Sequence, residues 1–305
     1  MRLALIGDIH LYRLQMHWRH LMSKRILGHT NLWLNRRHRF NHAVLAPLLD
    51  RVAALEPDHV VLTGDVTTTS LDNEFLDVAR HLKPLSDRFP TLLVPGNHDR
   101  YTFASRSSRR IERLLEHLLP REFPHFSQLA PRWHLLGLDG ARPRMLDARG
   151  ELGQGQLQRT AEHLSRLTDK DGLVVACHYP VAAPPDALPL TPDHQLAEAR
   201  LLSQMLTDCP ARIVYLHGHI HRPWCWTPQN GRQRGFTCIN AGAPCMTSVV
   251  YPLGQGFWQI DLPDDPADAL GVVHHLPRTS GRPTRRQRKA LAMPGPEDWE
   301  MKLVL

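Results

Sequence analysis

The sequence predicts an α/β fold. Short runs rich in Val, Ile and Leu alternate with stretches of helical periodicity, and Gly, Asp, Asn or Pro bounds most of the runs. Strands that alternate with helices indicate sheets covered by helices. In chain order, the first strand falls at residues 3–6. A helix is expected at 40–55, where apolar residues recur at helical spacing. A strand at 59–62, a helix at 73–85 and a strand at 91–94 follow. A helix at 111–119 precedes a strand at 133–138, and a helix at 155–167 precedes a strand at 173–176. A helix at 196–206 then leads to strands at 213–216 and 236–239. No internal repeat is visible.

Two segments depart from this rhythm. Residues 11–41 carry Arg13, Arg19, Lys24, Arg25, Arg36, Arg37 and Arg39 without an acidic residue. Leu14, Trp18, Leu21, Met22 and Ile26 can share one apolar helical face there, so the segment reads as a basic helical insertion. A solvated insertion, a lid over a site near His10 and a surface that docks on anionic membrane are its three readings. The second segment, 277–305, holds Arg282, Arg285, Arg286, Arg288 and Lys289 and is expected to be a loosely ordered tail after one domain at 1–276.

The chain has 305 residues, 42% of them hydrophobic, which suffices for a large core. Its formal net charge of +7 favours anionic partners without choosing among them. No recognised nucleic-acid reading module appears, so nucleic acid is not the expected partner. Cys177, Cys209, Cys225, Cys238 and Cys245 form no CxxC pair, which indicates neither a disulfide framework nor a zinc ribbon. Reduced thiols fit a cytoplasmic protein. The apolar start MRLALIGDIH is interrupted by Asp8 and His10 and is too short for a signal peptide. No stretch approaches the roughly 18 apolar residues of a membrane span. A cytoplasmic location is therefore expected, with peripheral contact at the inner membrane face through the 11–41 segment as a further expectation.

The chemistry-bearing residues fall just after the apolar runs. Asp8 and His10 follow the first, in GDIH, and Asp65 follows the second, in TGDV. Asn97, His98 and Asp99 follow the third, in PGNHD. His178 follows the run at 173–176, and His219 and His221 follow that at 213–216, in HGHIH. Open α/β sheets present binding residues outside the carboxyl ends of their strands, so these five clusters can converge on one rim. Carboxylate, amide oxygen and imidazole suit divalent ions such as Mn²⁺, Fe²⁺ and Zn²⁺, with Mg²⁺ a further candidate. The candidate ligands are too many for one structural zinc, and no thiol is among them. In D-x-H the two side chains lie two apart on an extended segment and can point to one side, as can those of His219 and His221. Glycines at 7, 64, 96 and 218 permit sharp turns and close approach.

The ordered set D-x-H, G-D, G-N-H-D, H, G-H-x-H resembles the calcineurin-like metallophosphoesterase superfamily, with all five blocks in order from Asp8 to His221. The resemblance implies a four-layer α/β/β/α sandwich of two mixed sheets. It implies that Asp8, His10 and His221 bind one metal ion, that Asn97, His178 and His219 bind a second, and that Asp65 bridges them. His98 would face the substrate phosphate or leaving group, oriented by Asp99. A hydroxide shared by the two ions would attack phosphorus in line with the leaving oxygen. In size, block spacing and the stretch GELGQGQLQRTAEHL, the chain is similar to the class III cyclic-nucleotide phosphodiesterase group, which implies a small anionic phosphoester substrate. A lipid-linked pyrophosphate hydrolase similar to UDP-2,3-diacylglucosamine hydrolases is the alternative, motivated by the basic amphipathic insertion. A non-catalytic scaffold of the same fold is disfavoured, since every ligand position and His98 are intact.

Other residues near these blocks read as structural. His217, His134, His274 and His275 match no block. Cys177 reads as a small apolar strand residue. Asp139, in GLDG, reads chiefly as a turn or second-layer hydrogen-bonding group.

Overall fold

A computed structural model of the chain describes residues 1–13, 39–145, 147–185, 190–227, 236–278, 294–295 and 298–304. The strands are β1 (Arg2–Ile6), β2 (His59–Leu62), β3 (Thr91–Leu93), β4 (His125–Ala130), β5 (Trp133–Leu138) and β6 (Gly172–Cys177). They continue with β7 (Arg212–His217), β8 (Trp224–Trp226), β9 (Thr237–Asn240), β10 (Phe257–Asp261), β11 (Gly271–Pro277) and β12 (Trp299–Leu303). The helices are α1 (Leu45–Ala54), α2 (Asp72–Ser86), α3 (Phe103–Ser107), α4 (Arg110–Leu114), α5 (Gln154–Leu164) and α6 (Ala199–Asp208). One sheet runs β12-β11-β10-β1-β2-β3 and the other β4-β5-β6-β7-β9-β8.

Side-chain alternation along the strands builds the layers. In β1, Leu3 and Leu5 face the second sheet, while Ala4 and Ile6 face helices. In β6, Val174 and Ala176 meet the first sheet, while Leu173, Val175 and Cys177 turn to the opposite helical layer. Both faces of each central strand are covered, which is why these runs read as continuously apolar. Helix α1 buries Leu45, Leu48, Leu49 and Val52, and α2 buries Phe75, Val78, Leu82 and Leu85, both on the first sheet. Helix α6 buries Ala199, Leu202 and Leu206 on the second. The result is the expected α/β/β/α sandwich.

Parallel pairs β1–β2, β2–β3, β5–β6 and β6–β7 are joined through helices. Their carboxyl ends therefore emerge along one edge of each sheet. All seven expected strands are present. The expected helix at 111–119 is shorter, because α4 ends at Leu114. The expectation of a loosely ordered tail is corrected at its far end. Residues 299–303 form β12, paired antiparallel with β11, and Trp299 is buried against Phe257 with ring centroids 5.9 Å apart. Most of the basic insertion and residues 279–293 of the tail lie outside the described residues. Among the described residues, no helix is long and apolar enough to cross a membrane.

Candidate metal centre

The site is assembled from five loops that leave the carboxyl ends of β1, β2, β3, β6 and β7. Backbone bonds zip these loops together. His10 and Leu11 donate their N–H groups to the carbonyls of Asp65 and Val66 at 2.9 and 3.0 Å. Gly218 donates to the carbonyl of His178 at 3.0 Å. The sheets are joined where the N–H of His219 donates to Asp8 Oδ1 at 3.2 Å. The ring Nδ1 of His178 meets the carbonyl of Thr63 at 2.7 Å. That bond fixes the ring and directs Nε2 inward, toward the other donor atoms.

Two groups of donor atoms result, each with all its atoms within 4.8 Å of one another. Asp8, His10, Asp65 and His221 form the first, and Asp65, His178 and His219 form the second. His10 Nε2 lies 2.8 Å from His221 Nε2. His178 Nε2 lies 3.1 Å from both His219 Nδ1 and Asn97 Oδ1, which adds the asparagine to the second group. Asp65 belongs to both. Its Oδ2 is 3.5 Å from His10 Nε2 and 3.5 Å from His178 Nε2. Its Oδ1 is fixed by the N–H of His98 at 2.8 Å. Ligands about 2.0–2.2 Å from a common ion lie roughly 3 Å apart when adjacent, so these spacings fit metal coordination.

All seven expected ligand side chains are thus brought together. Asp8, His10, Asp65 and His178 are buried and form the floor. Asn97, His98, His219 and His221 are partly exposed and form the rim. His219 and His221 turn toward different groups instead of sharing one side of an extended segment. The reason is local backbone: both take left-handed φ, of 70° and 52°. His10 and Asp65 do the same, at 51° and 50°. Each such non-glycine residue costs about 1–2 kcal/mol, which the surrounding sheets must offset.

Burial pushes the Asp8 carboxyl up to about 8; His178 opposes the shift and Asp65 adds to it. Burial also acts to raise Asp65, but His178 and His98 outweigh it and hold Asp65 well below the usual carboxylate range. His178 is raised to about 9, because the Asp65 charge overcomes burial. Asp8 Oδ2 is buried without a hydrogen-bond partner among the described residues. A buried carboxylate oxygen left in this way fits a cation. Two close approaches keep the cage open: a Cβ at Gly218 would lie 2.7 Å from Asp8 Oδ1, and one at Gly96 would lie 2.2 Å from Asp65 Oδ1.

The expectation that Asp99 orients His98 is corrected. Asp99 Oδ1 accepts from the N–H and hydroxyl of Thr67 at 2.9 and 3.0 Å, and Oδ2 accepts from the N–H of Gly96 at 3.0 Å. It ties the loop after β3 to the loop after β2. Burial, reinforced by repulsion from Asp65, raises its carboxyl to about 7. The carbonyl of Thr68 orients His98, at 2.6 Å from Nδ1, and Tyr101 stacks on the ring at 5.4 Å. Sequence reasoning missed Thr68 and Thr63 because they act through main-chain oxygens. It also missed Gln255, whose Nε2 donates to the carbonyl of His221 at 2.9 Å, and His194, whose ring lies 5.8 Å from that of His219. No motif marks either residue.

The residues read as structural lie outside the cage. His217 is buried at the end of β7, His134 lies in β5, and His274 and His275 lie in β11. Asp139 accepts from Arg100 and from the N–H of Ala141, at 2.8 and 2.9 Å. The five cysteines are free, and Cys177 is buried.

A two-sheet sandwich with paired donor groups at one edge defines a class, the metal-dependent phosphoester hydrolases. The calcineurin-like phosphoesterase family model matches residues 1–223, and the chain belongs to that family. Among solved structures, it is similar to a dimetal phosphatase from Danio rerio at 15% identity and a TM-score of 0.63, over 89% of this chain and 94% of that one. It is also similar to the purple acid phosphatase PPD1 from yellow lupin, Lupinus luteus, at 11% identity and a TM-score of 0.56, over 89% of this chain and 50% of that one. A third likeness is to PhoD, at 11% identity and a TM-score of 0.57, over 91% and 66% of the two chains. At these identities the likeness is one of fold. No curated protein matches the sequence.

Proposed function

We propose that the chain is a phosphodiesterase that cleaves P–O bonds of a small anionic substrate at two metal ions. In this reading Asp8, His10 and His221 hold one ion and Asn97, His178 and His219 the other. The single observation that carries it is the position of Asp65 Oδ2, equidistant from His10 Nε2 and His178 Nε2 at 3.5 Å. When bound, two such ions supply positive charge to the phosphate oxygens and an activated water as nucleophile. His98 stands on the rim with Nδ1 held by Thr68, so Nε2 is the nitrogen that meets the leaving group. Protonated there, it donates to the departing oxygen. Asp99 acts at one remove, by holding the loops that carry Asp65, Asn97 and His98.

Preference for diesters over monoesters rests on the similarity in block spacing to the class III cyclic-nucleotide phosphodiesterases. The test compares bis-p-nitrophenyl phosphate with p-nitrophenyl phosphate in Mn²⁺, Fe²⁺, Zn²⁺ or Mg²⁺. The diester should be the faster substrate in at least one metal; a monoester rate about tenfold higher in all of them would overturn the preference.

One observation favours a second reading, hydrolysis of a lipid-linked pyrophosphate at the membrane surface. Both described ends of the basic stretch lie at the cage. Leu11 bridges to Thr67, and the Phe40 ring lies 5.3 Å from that of His10 and 6.3 Å from that of His221. The insertion therefore begins and ends beside the metal ligands, where it can select an acylated anion. Activity on a diacylated nucleotide sugar should rise when anionic liposomes are supplied; indifference to lipid charge would remove this reading.

A further inference from the structure

A second concentration of charge lies at the end of β5, formed by residues outside the metal cage. A cavity of about 410 Å³ is lined there by Arg100, Arg106, Arg109, Arg121 and Arg142. Only Glu112 and Asp139 oppose them in its wall. Both carboxylates are already engaged by Arg100, at 2.9 and 2.8 Å. Arg142 is held by main-chain carbonyls, donating to Ala141 at 2.9 Å and Leu152 at 3.2 Å. Arg106 is half-buried, and its guanidinium has no hydrogen-bond or ion-pair partner among the described residues. Burial and repulsion from Arg142 and Arg100 lower its pKa, which reflects how closely the like charges crowd. Arg100 is only 7% exposed, and its Nε is buried without a hydrogen-bond partner among the described residues.

The same cavity is lined by Gly153, Gly155 and Gln156, at the start of the 11-residue helix α5. Its N-cap, Gly153, offers no side-chain cap and no acidic residue occupies the first turn, although Glu198 accepts from the N–H groups of Leu152 and Gly153 just before it, at 3.1 and 3.2 Å. A Cβ at Gly155 would meet nothing within 4 Å. First-turn N–H groups have no partner within their own helix, and the positive end of the helix dipole adds to their pull on anions. Five guanidiniums against two carboxylates leave the cavity wall with an excess of three positive charges, which favours a multiply charged anion. Planar guanidinium forks and main-chain N–H groups together suit a tetrahedral oxyanion.

We propose that this cavity is a second site, separate from the metal cage, that binds the phosphate group of a small molecule. The site holds its ligand by Arg106, Arg142 and the N-terminus of α5. Because none of these groups belongs to the cage, the site does not depend on which ester the cage cleaves.

The test is equilibrium dialysis of the metal-loaded full chain against radiolabelled inorganic phosphate at low ionic strength. Phosphate at the metal centre is read separately, as competitive inhibition of bis-p-nitrophenyl phosphate hydrolysis. Wild type should bind two phosphates per chain. Arg106→Glu should bind one, with cavity affinity down at least about tenfold and the inhibition constant unchanged within about twofold. Arg106→Lys should keep both sites, and Arg106→Gln replaces the glutamate variant should that one fold poorly. Equal phosphate binding by wild type and Arg106→Glu would overturn the proposal. A chain without phosphoesterase activity would still lose one phosphate in the variant, so the two ideas fail separately.

Discussion

Asp65 divides its two oxygens between tasks. Oδ1 receives the N–H of His98, while Oδ2 faces both donor groups. Asp65→Asn should lose both metal ions and activity together, because a neutral amide cannot supply the charge shared by two cations. Elemental analysis that finds two metals in the variant would contradict the assignment. His98 is different: its ring packs edge-on against His10 at 4.8 Å and meets Thr68 and Tyr101, but it gives no atom to either donor group. His98→Ala should retain both metals and lose about 10²–10⁴ in kcat, the range of general acid–base catalysis. An unchanged kcat would remove the ring from the reaction. These positions were legible because the residue types that bind cations recur immediately after apolar runs. The correction at Asp99 has a plain cause: adjacency to His98 in the sequence does not set where a carboxylate points. The three main-chain N–H and hydroxyl donors of Thr67 and Gly96 claim it instead.

At the scale of elements, legibility follows burial only in part: β10 and β11 were not read from sequence, although β10 is central and buried. The seven strands read from sequence are central or packed on both faces, so composition and turn residues marked them. Strand β4 was missed because it mixes polar with apolar residues and is nowhere fully buried. Strand β8 is three residues long at a sheet edge. Strand β12 sits behind a basic, Pro- and Gly-containing stretch, and residues 300–303 within it are exposed. What holds β12 is its ladder to β11 and one side chain, Trp299, which is 5% exposed. Trp299→Ala should cost about 3 kcal/mol by large-to-small truncation and free the edge of β11. Denaturant unfolding gives the loss directly, and limited proteolysis should cut the chain beyond residue 278 faster; equal stability and equal cleavage would show that β12 does not hold the sheet edge.

The whole molecule buries several imidazoles in neutral form. Burial lowers His217 to about 3, and burial with neighbouring positive charge lowers His274 and His275 to about 4. His274 stacks on Trp258 at 4.1 Å and His275 on Phe257 at 4.8 Å, inside the first sheet. An unfolded histidine titrates near 6.5, so the unfolded chain takes up protons at a pH where these folded rings do not. Their contribution to stability is complete above about pH 6.5 and is lost as pH falls toward 4. Melting temperatures of the chelator-treated chain should decline through that window; a flat profile would contradict the burial of neutral rings. The sheet order carries a last consequence, for synthesis. Strand β1 is made well before β10, its antiparallel neighbour, with Leu3 opposite Ile260. Until β10 emerges, one side of β1 lacks its native partner, an open template for pairing with other nascent chains. Such wide separation between partners slows folding, and it ties completion of the first sheet to the arrival of residues 257–261.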